Sequence, residues 1–146
     1  MRWSLNEASE PAIKRHLTVC DRAFVPRLSV RVELHEYARR LHMCAVRVEA
    51  WSGDELVGLI AFYCNDATTR VGFISNVSVV PQMHGSGIAT RMLVRCIEHC
   101  KAAGMRRLDL DVDPSNIAAV RLYERNGFVL RNGGSPTNMS RDLEGV

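Results

Sequence analysis

Hydrophobic and polar positions change period several times along this chain, and each change marks an element. Residues 1–5 read as a short first strand. Between Glu7 and about Phe24 the apolar residues Ile13, Leu17 and Cys20 recur at helical spacing, with Ser9 placed to cap and Pro11 near the first turn. Pro26 and Ser29 break that pattern. A second helix is predicted from about Val30 to Met43, with Val30, Leu34, Tyr37, Ala38 and Leu41 on one side. Residues 45–51 and 56–65 then read as strands joined by Ser52-Gly53-Asp54-Glu55, a hairpin. Val57 to Phe62 is a continuous apolar run, as in a strand covered on both faces. A polar connection at 65–70 leads into a β-branched strand, Phe73 to Val80. The helix predicted from Gly87 to Ala103 buries Ile88, Met92, Leu93, Cys96, Ile97 and Cys100. It exposes Arg91, Arg95, Glu98 and Lys101 and stops at Gly104. Leu108, Leu110 and Val112 alternate with Asp109, Asp111 and Asp113 in the next strand. A helix after Pro114-Ser115 runs to about Arg125 and stops at Asn126-Gly127. Residues 128–130 begin a strand, Gly133-Gly134-Ser135-Pro136 is a turn, and residues 138–143 form a closing strand. A helix pair, an antiparallel hairpin and then strand–helix–strand–helix–strand make one mixed α+β sheet rather than a doubly wound domain.

Composition narrows the partners. The 146 residues suit a single domain over 1–146. The net charge is +3 without a basic run, and Arg39-Arg40 and Arg106-Arg107 are isolated pairs, so no nucleic-acid footprint is expected. A weak positive bias still suits a small anionic ligand. No window reaches the roughly eighteen apolar residues of a membrane span, so no membrane partner is expected. Five cysteines without a Cys-x-x-Cys, behind an N-terminus lacking a secretory pattern, read as reduced thiols in a cytoplasmic protein. Cys96, His99 and Cys100 form one short cluster without a second. Cys96 and Cys100 fall on an apolar helical stripe, so buried thiols are expected and no metal.

The chemistry concentrates between Phe73 and Ala102. A strand ends at Pro81, passes through Gln82-Met83-His84-Gly85-Ser86-Gly87 and opens a helix. The first amides of a helix lack intrahelical partners and carry its positive dipole end, and glycine lets a phosphate approach them. A P-loop would need a lysine after the glycines, and none is there. A dinucleotide fingerprint would need a third glycine where Thr90 stands, although Asp109 and Asp111 lie at about the right distance onward. The third candidate fits throughout. Val-x-Val-x-Pro followed by Gln82-x-x-Gly85-x-Gly87-x-Ala89 resembles the acyl-CoA signature of the GNAT N-acetyltransferases. Asn116 to Phe128 is similar to a second pattern of that family, Asn-x-x-Ala-x-x-Leu-Tyr-x-x-x-Gly-Phe. Asn116 and Tyr123, nearly two helical turns apart, project from one face.

The resemblance covers about Ala45 to Leu143. It implies a central, mostly antiparallel sheet of six to seven strands flanked by about four helices. It implies acetyl-CoA as co-substrate, a small-molecule amine as acceptor and direct attack in a ternary complex; a homodimer is compatible with it. Contacts to acetyl-CoA are expected from Gln82, His84, Gly85, Ser86, Gly87, Ile88, Ala89 and Thr90 around the pyrophosphate. Val77 and Val79 would pair with the pantetheine arm, and Asn116 would cap its helix or bind a ligand amide. Tyr123 would protonate the departing thiolate, its ordinary pKa near 10 lying close enough to that of a thiol. One departure stands out. Family members often carry a glutamate on the central strand as base, whereas this chain has Ser75 and Asn76. Asp109, Asp111, Glu33, Glu36 and His35 remain open as substitutes. Two other readings of the same fold stay open, a catalytically silent acyl-CoA-binding module and a protein or peptide N-acetyltransferase. A nucleotide-binding protein using NAD is a further alternative, and it would need a parallel sheet.

Overall fold

The structure is a computed structural model that describes residues 1–134 and 136–144. Ser135, in the expected turn at 133–136, lies outside the described residues. Seven strands form one sheet: β1 (Arg2–Leu5), β2 (Val46–Ser52), β3 (Glu55–Tyr63), β4 (Val71–Val79), β5 (Arg107–Val112), β6 (Val129–Asn132) and β7 (Thr137–Asp142). Their order is β1-β2-β3-β4-β5-β7-β6. The β4–β5 pair alone is parallel and the other five are antiparallel. A nicotinamide-dinucleotide domain, with its parallel doubly wound sheet, is therefore not what this chain builds.

The helices are α1 (Glu10–Cys20), α2 (Leu28–Arg31), α3 (Leu34–Cys44), α4 (Ile88–Ala102) and α5 (Ile117–Arg125). Ser9 caps α1 by accepting from the Ala12 amide at 3.2 Å. The second predicted helix is in fact two. Val32 is extended and Glu33 caps α3 through the Glu36 amide at 2.6 Å, so the chain turns between α2 and α3. Val30, expected on the buried stripe, is instead 75% exposed. None of the described helices is long and apolar enough to cross a membrane.

Two cores sandwich the sheet. One packs α4 and α5 residues, including the predicted stripe of α4, against Val57, Ile60, Phe62, Ile74, Leu108 and Leu110. The other packs α1 and α3 against Leu56, Leu59 and Ala61. The continuous apolar run of β3 feeds both, which is why it does not alternate. The N-terminal layer is pinned by a buried carboxylate. Glu49 accepts from Ser4 Oγ (2.8 Å), the Glu7 amide (2.8 Å), the Ala8 amide (3.0 Å) and Arg47 Nε (3.1 Å). Arg47 spends its remaining donors on the Leu41, His42, Ala45 and Ala8 carbonyls. Fully satisfied in this way, a buried ion pair holds β1 and the start of α1 to β2 and the end of α3.

Candidate active site

The site begins where β4 and β5 part. Their ladder runs from Val71↔Arg107 to Ile74↔Leu110 and stops. On the other side of β4, Ala61 pairs with Asn76 and Phe62 with Ile74, so Ser75 is the extra residue of a bulge. A bulge bends and twists its strand. Beyond it β4 continues to Val79 against β3 alone. The gap is a cavity of about 440 Å³ lined by Ile74 to Val79, Leu110 to Asp113, Asn116, Ala119 and Tyr123. The segment from Ala23 to Pro26, together with Arg31, also lines it. The Val80 amide donates to the Val57 carbonyl on β3 at 2.9 Å. Peptide groups alternate sides along a strand, so Val77 and Val79 turn theirs toward the gap. His84 confirms the direction for one of them, since its Nε2–H donates to the Val79 carbonyl at 2.8 Å.

The glycine turn leads from that gap into α4. Gly85 and Gly87 have φ of +81° and +85°, the left-handed region that glycine adopts without strain. A Cβ built on either would meet nothing within 4 Å, so the backbone there faces open space. The first intrahelical bond is Arg91 N–H to the Gly87 carbonyl at 3.1 Å. The amides of Gly87, Ile88, Ala89 and Thr90 precede it and form the unspent positive end of the helix. Ser86 does not join them, because its amide donates back to the Met83 carbonyl at 3.3 Å and its hydroxyl does so too. The Ile88 side chain is buried in the core, leaving only its amide toward the turn. Gln82 is exposed on the short turn Pro81–Met83 and does not line the cavity.

On the opposite wall Asn116 caps α5, its Oδ1 accepting from the Ala119 amide at 3.3 Å. Tyr123 packs edge-on against Phe128, with ring centroids 5.9 Å apart, and lines the cavity. Its hydroxyl has no hydrogen-bond partner among the described residues. Burial pushes its pKa up to about 12, so the phenol keeps its proton. That moves it further from a thiol than the sequence reading assumed. Tyr123 is better suited to donating a hydrogen bond to developing negative charge.

The face of β4 toward α1 carries a polar chain that the motifs did not reveal. His16 Nδ1 lies 2.9 Å from the Leu56 carbonyl, which can only accept, so Nδ1 carries the proton. Nε2 is then an acceptor and takes the Ser78 hydroxyl at 2.8 Å. Ser78 Oγ in turn accepts from Asn76 Nδ2 at 2.9 Å, and Asn76 Nδ2 also donates to the Leu59 carbonyl at 3.3 Å. Asn76 Oδ1 is left buried without a partner. Burial lowers the pKa of His16 to about 4 and raises that of Cys20, whose Sγ lies 3.6 Å from His16 Nε2, to about 12. The spacing Ile13, His16, Leu17, Cys20 places His16 on the buried stripe of α1, the signal that could have found it. Of the substitute bases left open, Asp111 lines the cavity. Asp109 is engaged by Arg107 and Ser140, Glu33 caps α3, and Glu36 and His35 are exposed outside the cavity lining.

Comparison with known proteins agrees with this geometry. The model of the acetyltransferase (GNAT) family matches residues 11–128. A mycothiol acetyltransferase from Streptosporangium roseum is 38% identical over 58 residues, 40% of this chain and 17% of that protein. An L-2,4-diaminobutyric acid acetyltransferase from Methylotuvimicrobium alcaliphilum is 31% identical over 83 residues, 57% of this chain and 48% of that protein. The chain thus spans less than half the length of either relative. Among solved structures, PaiA N-acetyltransferase from Thermoplasma acidophilum, in complex with coenzyme A, superposes with a TM-score of 0.73. It is 14% identical, over 97% of this chain and 99% of that one. The chain belongs to the acetyltransferase (GNAT) family, and its mixed seven-stranded sheet is the fold of that family.

Proposed function

We propose that the protein transfers an acetyl group from acetyl-CoA to an amine of a small acceptor, by direct attack within a ternary complex. The observation that carries this reading is the parting of β4 from β5. It leaves the peptide groups of Val77 and Val79 free to act as the neighbouring strand for an extended amide-bearing arm. The cavity holds the phenol of Tyr123 and reaches Val79 and His84, and the glycine turn with the amides of Gly87 to Thr90, which suit a pyrophosphate, follows directly in the chain. His84 covers the Val79 carbonyl, so an arm amide replaces its Nε2–H on docking. As the N–C bond forms, the acceptor nitrogen gives up its proton to water in the open cavity. Main-chain donors beside the bulge stabilise the tetrahedral oxyanion, and CoA leaves as the thiolate, with Tyr123 donating a hydrogen bond to the sulfur as the C–S bond breaks. A small acceptor is favoured over a protein segment because the cavity, about 440 Å³, is of small-molecule size. The relatives' names span mycothiol and diaminobutyric acid, so they carry the reaction class to this chain but not its acceptor.

The silent-module reading draws on one observation, the placement of Ser75 and Asn76 where a carboxylate base would stand. Calorimetry with acetyl-CoA and a thiol-release assay over a panel of amines separate the two. The transferase reading expects micromolar-range binding and acceptor-dependent thiol. Binding with no turnover across the panel would favour the module.

A further inference from the structure

We propose that the acceptor is a small amino-acid-like zwitterion, its amine held at Asp111 and its carboxylate at Arg31. This rests on the transferase reading and adds the acceptor class to it. The β4–β5 ladder ends at Ile74↔Leu110, so the next residues in register are Ser75 and Asp111, at the vertex of the gap. Side chains alternate along a strand. Leu110 and Val112 enter the core beneath α4, which turns Asp111 to the opposite face, the face of α1 and α3. Asn138 Nδ2 holds Asp111 Oδ1 at 3.1 Å, and Oδ2 has no partner among the described residues. On the other side of the vertex the Tyr37 hydroxyl reaches the Ser75 carbonyl (3.0 Å) and Oγ (2.6 Å). Arg31 and Ser75 line the same cavity. Arg31 lines the cavity and has no carboxylate partner among the described residues, whereas its neighbour Arg27 is paired to Asp21 at 3.2 Å.

Of the other charged lining groups, His84 is on the Val79 carbonyl, and Asp113 also uses only Oδ1, for the Ser115 amide and hydroxyl, but lies past the end of β5 rather than at the vertex. An unpaired guanidinium and a half-free carboxylate therefore line one cavity, with the apolar Phe24 and Pro26 in the wall. The phosphates of CoA belong at the far end of the gap, by the glycine turn, and do not neutralise Arg31. A simple amine satisfies only Asp111, and a short aliphatic zwitterion satisfies both.

The test is a set of matched acceptors at saturating acetyl-CoA: a free amino acid such as alanine or β-alanine, its amide, and the corresponding amine without the carboxyl group. A charge-assisted hydrogen bond to a carboxylate supports discrimination of roughly ten- to hundredfold. The carboxylate-bearing member is expected to show kcat/KM at least about tenfold above its amide. Arg31→Ala should collapse that ratio to within about threefold, while Arg31→Lys keeps part of it. Amides or amines that are equally good in the wild type, a ratio unchanged in Arg31→Ala, or no turnover of any carboxylate-bearing acceptor each overturn the proposal. Acetyl-CoA calorimetry and the other amines of the panel keep the two levels apart: any of those outcomes with intact binding and turnover of other amines removes only the acceptor class, and absent binding, or binding without turnover of any amine, removes the transferase reading beneath it.

Discussion

Lowering the pH should unfold this protein through His16. The imidazole is 2% exposed, donates to the Leu56 carbonyl and accepts from Ser78. A second proton would have to enter at Nε2, where it would break the acceptance from Ser78 and place a charge in the interior. The folded pKa is therefore about 4 against an ordinary value of 6.5. In that interval the unfolded chain binds more protons than the folded one, so stability rises with pH and falls on acidification. The stability is complete above pH 6.5 and is lost as pH drops toward and through 4. Integration gives a loss of about 2 kcal/mol by pH 5 and about 3 kcal/mol by pH 4. For a domain with ordinary marginal stability that is a large fraction of the whole. Urea denaturation at fixed temperature from pH 8 to 4 measures it, with His16→Gln as the comparison, since glutamine offers a donor and an acceptor but does not titrate there. The wild type should lose about 2 kcal/mol more than the variant between pH 7 and 5. Asp21, Asp66 and Asp113, whose pKa values are lowered by hydrogen bonds to neighbouring amides and hydroxyls, are common to both proteins and cancel in the difference. Parallel profiles for the two proteins, or an NMR titration of His16 near 6.5, would refute the reasoning.

Gly85→Asp and Gly87→Asp should each abolish acetyl-CoA binding in calorimetry while the folded circular-dichroism spectrum persists. Positive φ at each site adds only about 1 kcal/mol of strain, but the carboxylate would face the phosphate. An affinity within about threefold of wild type would remove the cradle assignment. Cys96 and Cys100 are fully buried on α4, so alkylation of the native protein should leave both unmodified and turnover intact: burial and the hydrogen bond between them raise the Cys96 thiol, even though that bond lowers the Cys100 thiol. Rapid loss of activity with either thiol labelled would contradict this. Tyr123→Phe should lower kcat and kcat/KM together by about 10² with acetyl-CoA affinity nearly unchanged, because the donated bond forms only as the sulfur becomes negative. An undiminished kcat would reduce Tyr123 to a packing residue.

The parts of this molecule that sequence reveals are those fixed by local period. The buried stripe of α4 was legible because one helix face meets one core, and the predicted six positions are the six that are buried. The glycine turn and the cap at Asn116 were legible because each needs a particular backbone or side chain at a particular step. The break between α2 and α3 was not. Glu33 is an uncommon cap, and Val30 fits a helical stripe whether or not the helix continues through Val32. The polar chain from His16 to Asn76 was illegible for a different reason. Ser78 and His16 lie 62 residues apart, and only the packing of α1 on β4 brings them within 2.8 Å. The same packing turned Asn76 and Ser78 from strand residues of no evident chemistry into part of the lining of the gap. Asp111 was one of five open substitutes until the end of the β4–β5 ladder placed it at the vertex.

The central claim, that the gap between β4 and β5 is a site of acetyl transfer, is tested most directly by following free thiol from acetyl-CoA as a function of acceptor concentration. The account predicts thiol release that saturates with acceptor and equals, mole for mole, the acetylated amine found by mass spectrometry. Saturable acetyl-CoA binding with thiol release that stays at the acceptor-free level across the panel would contradict it.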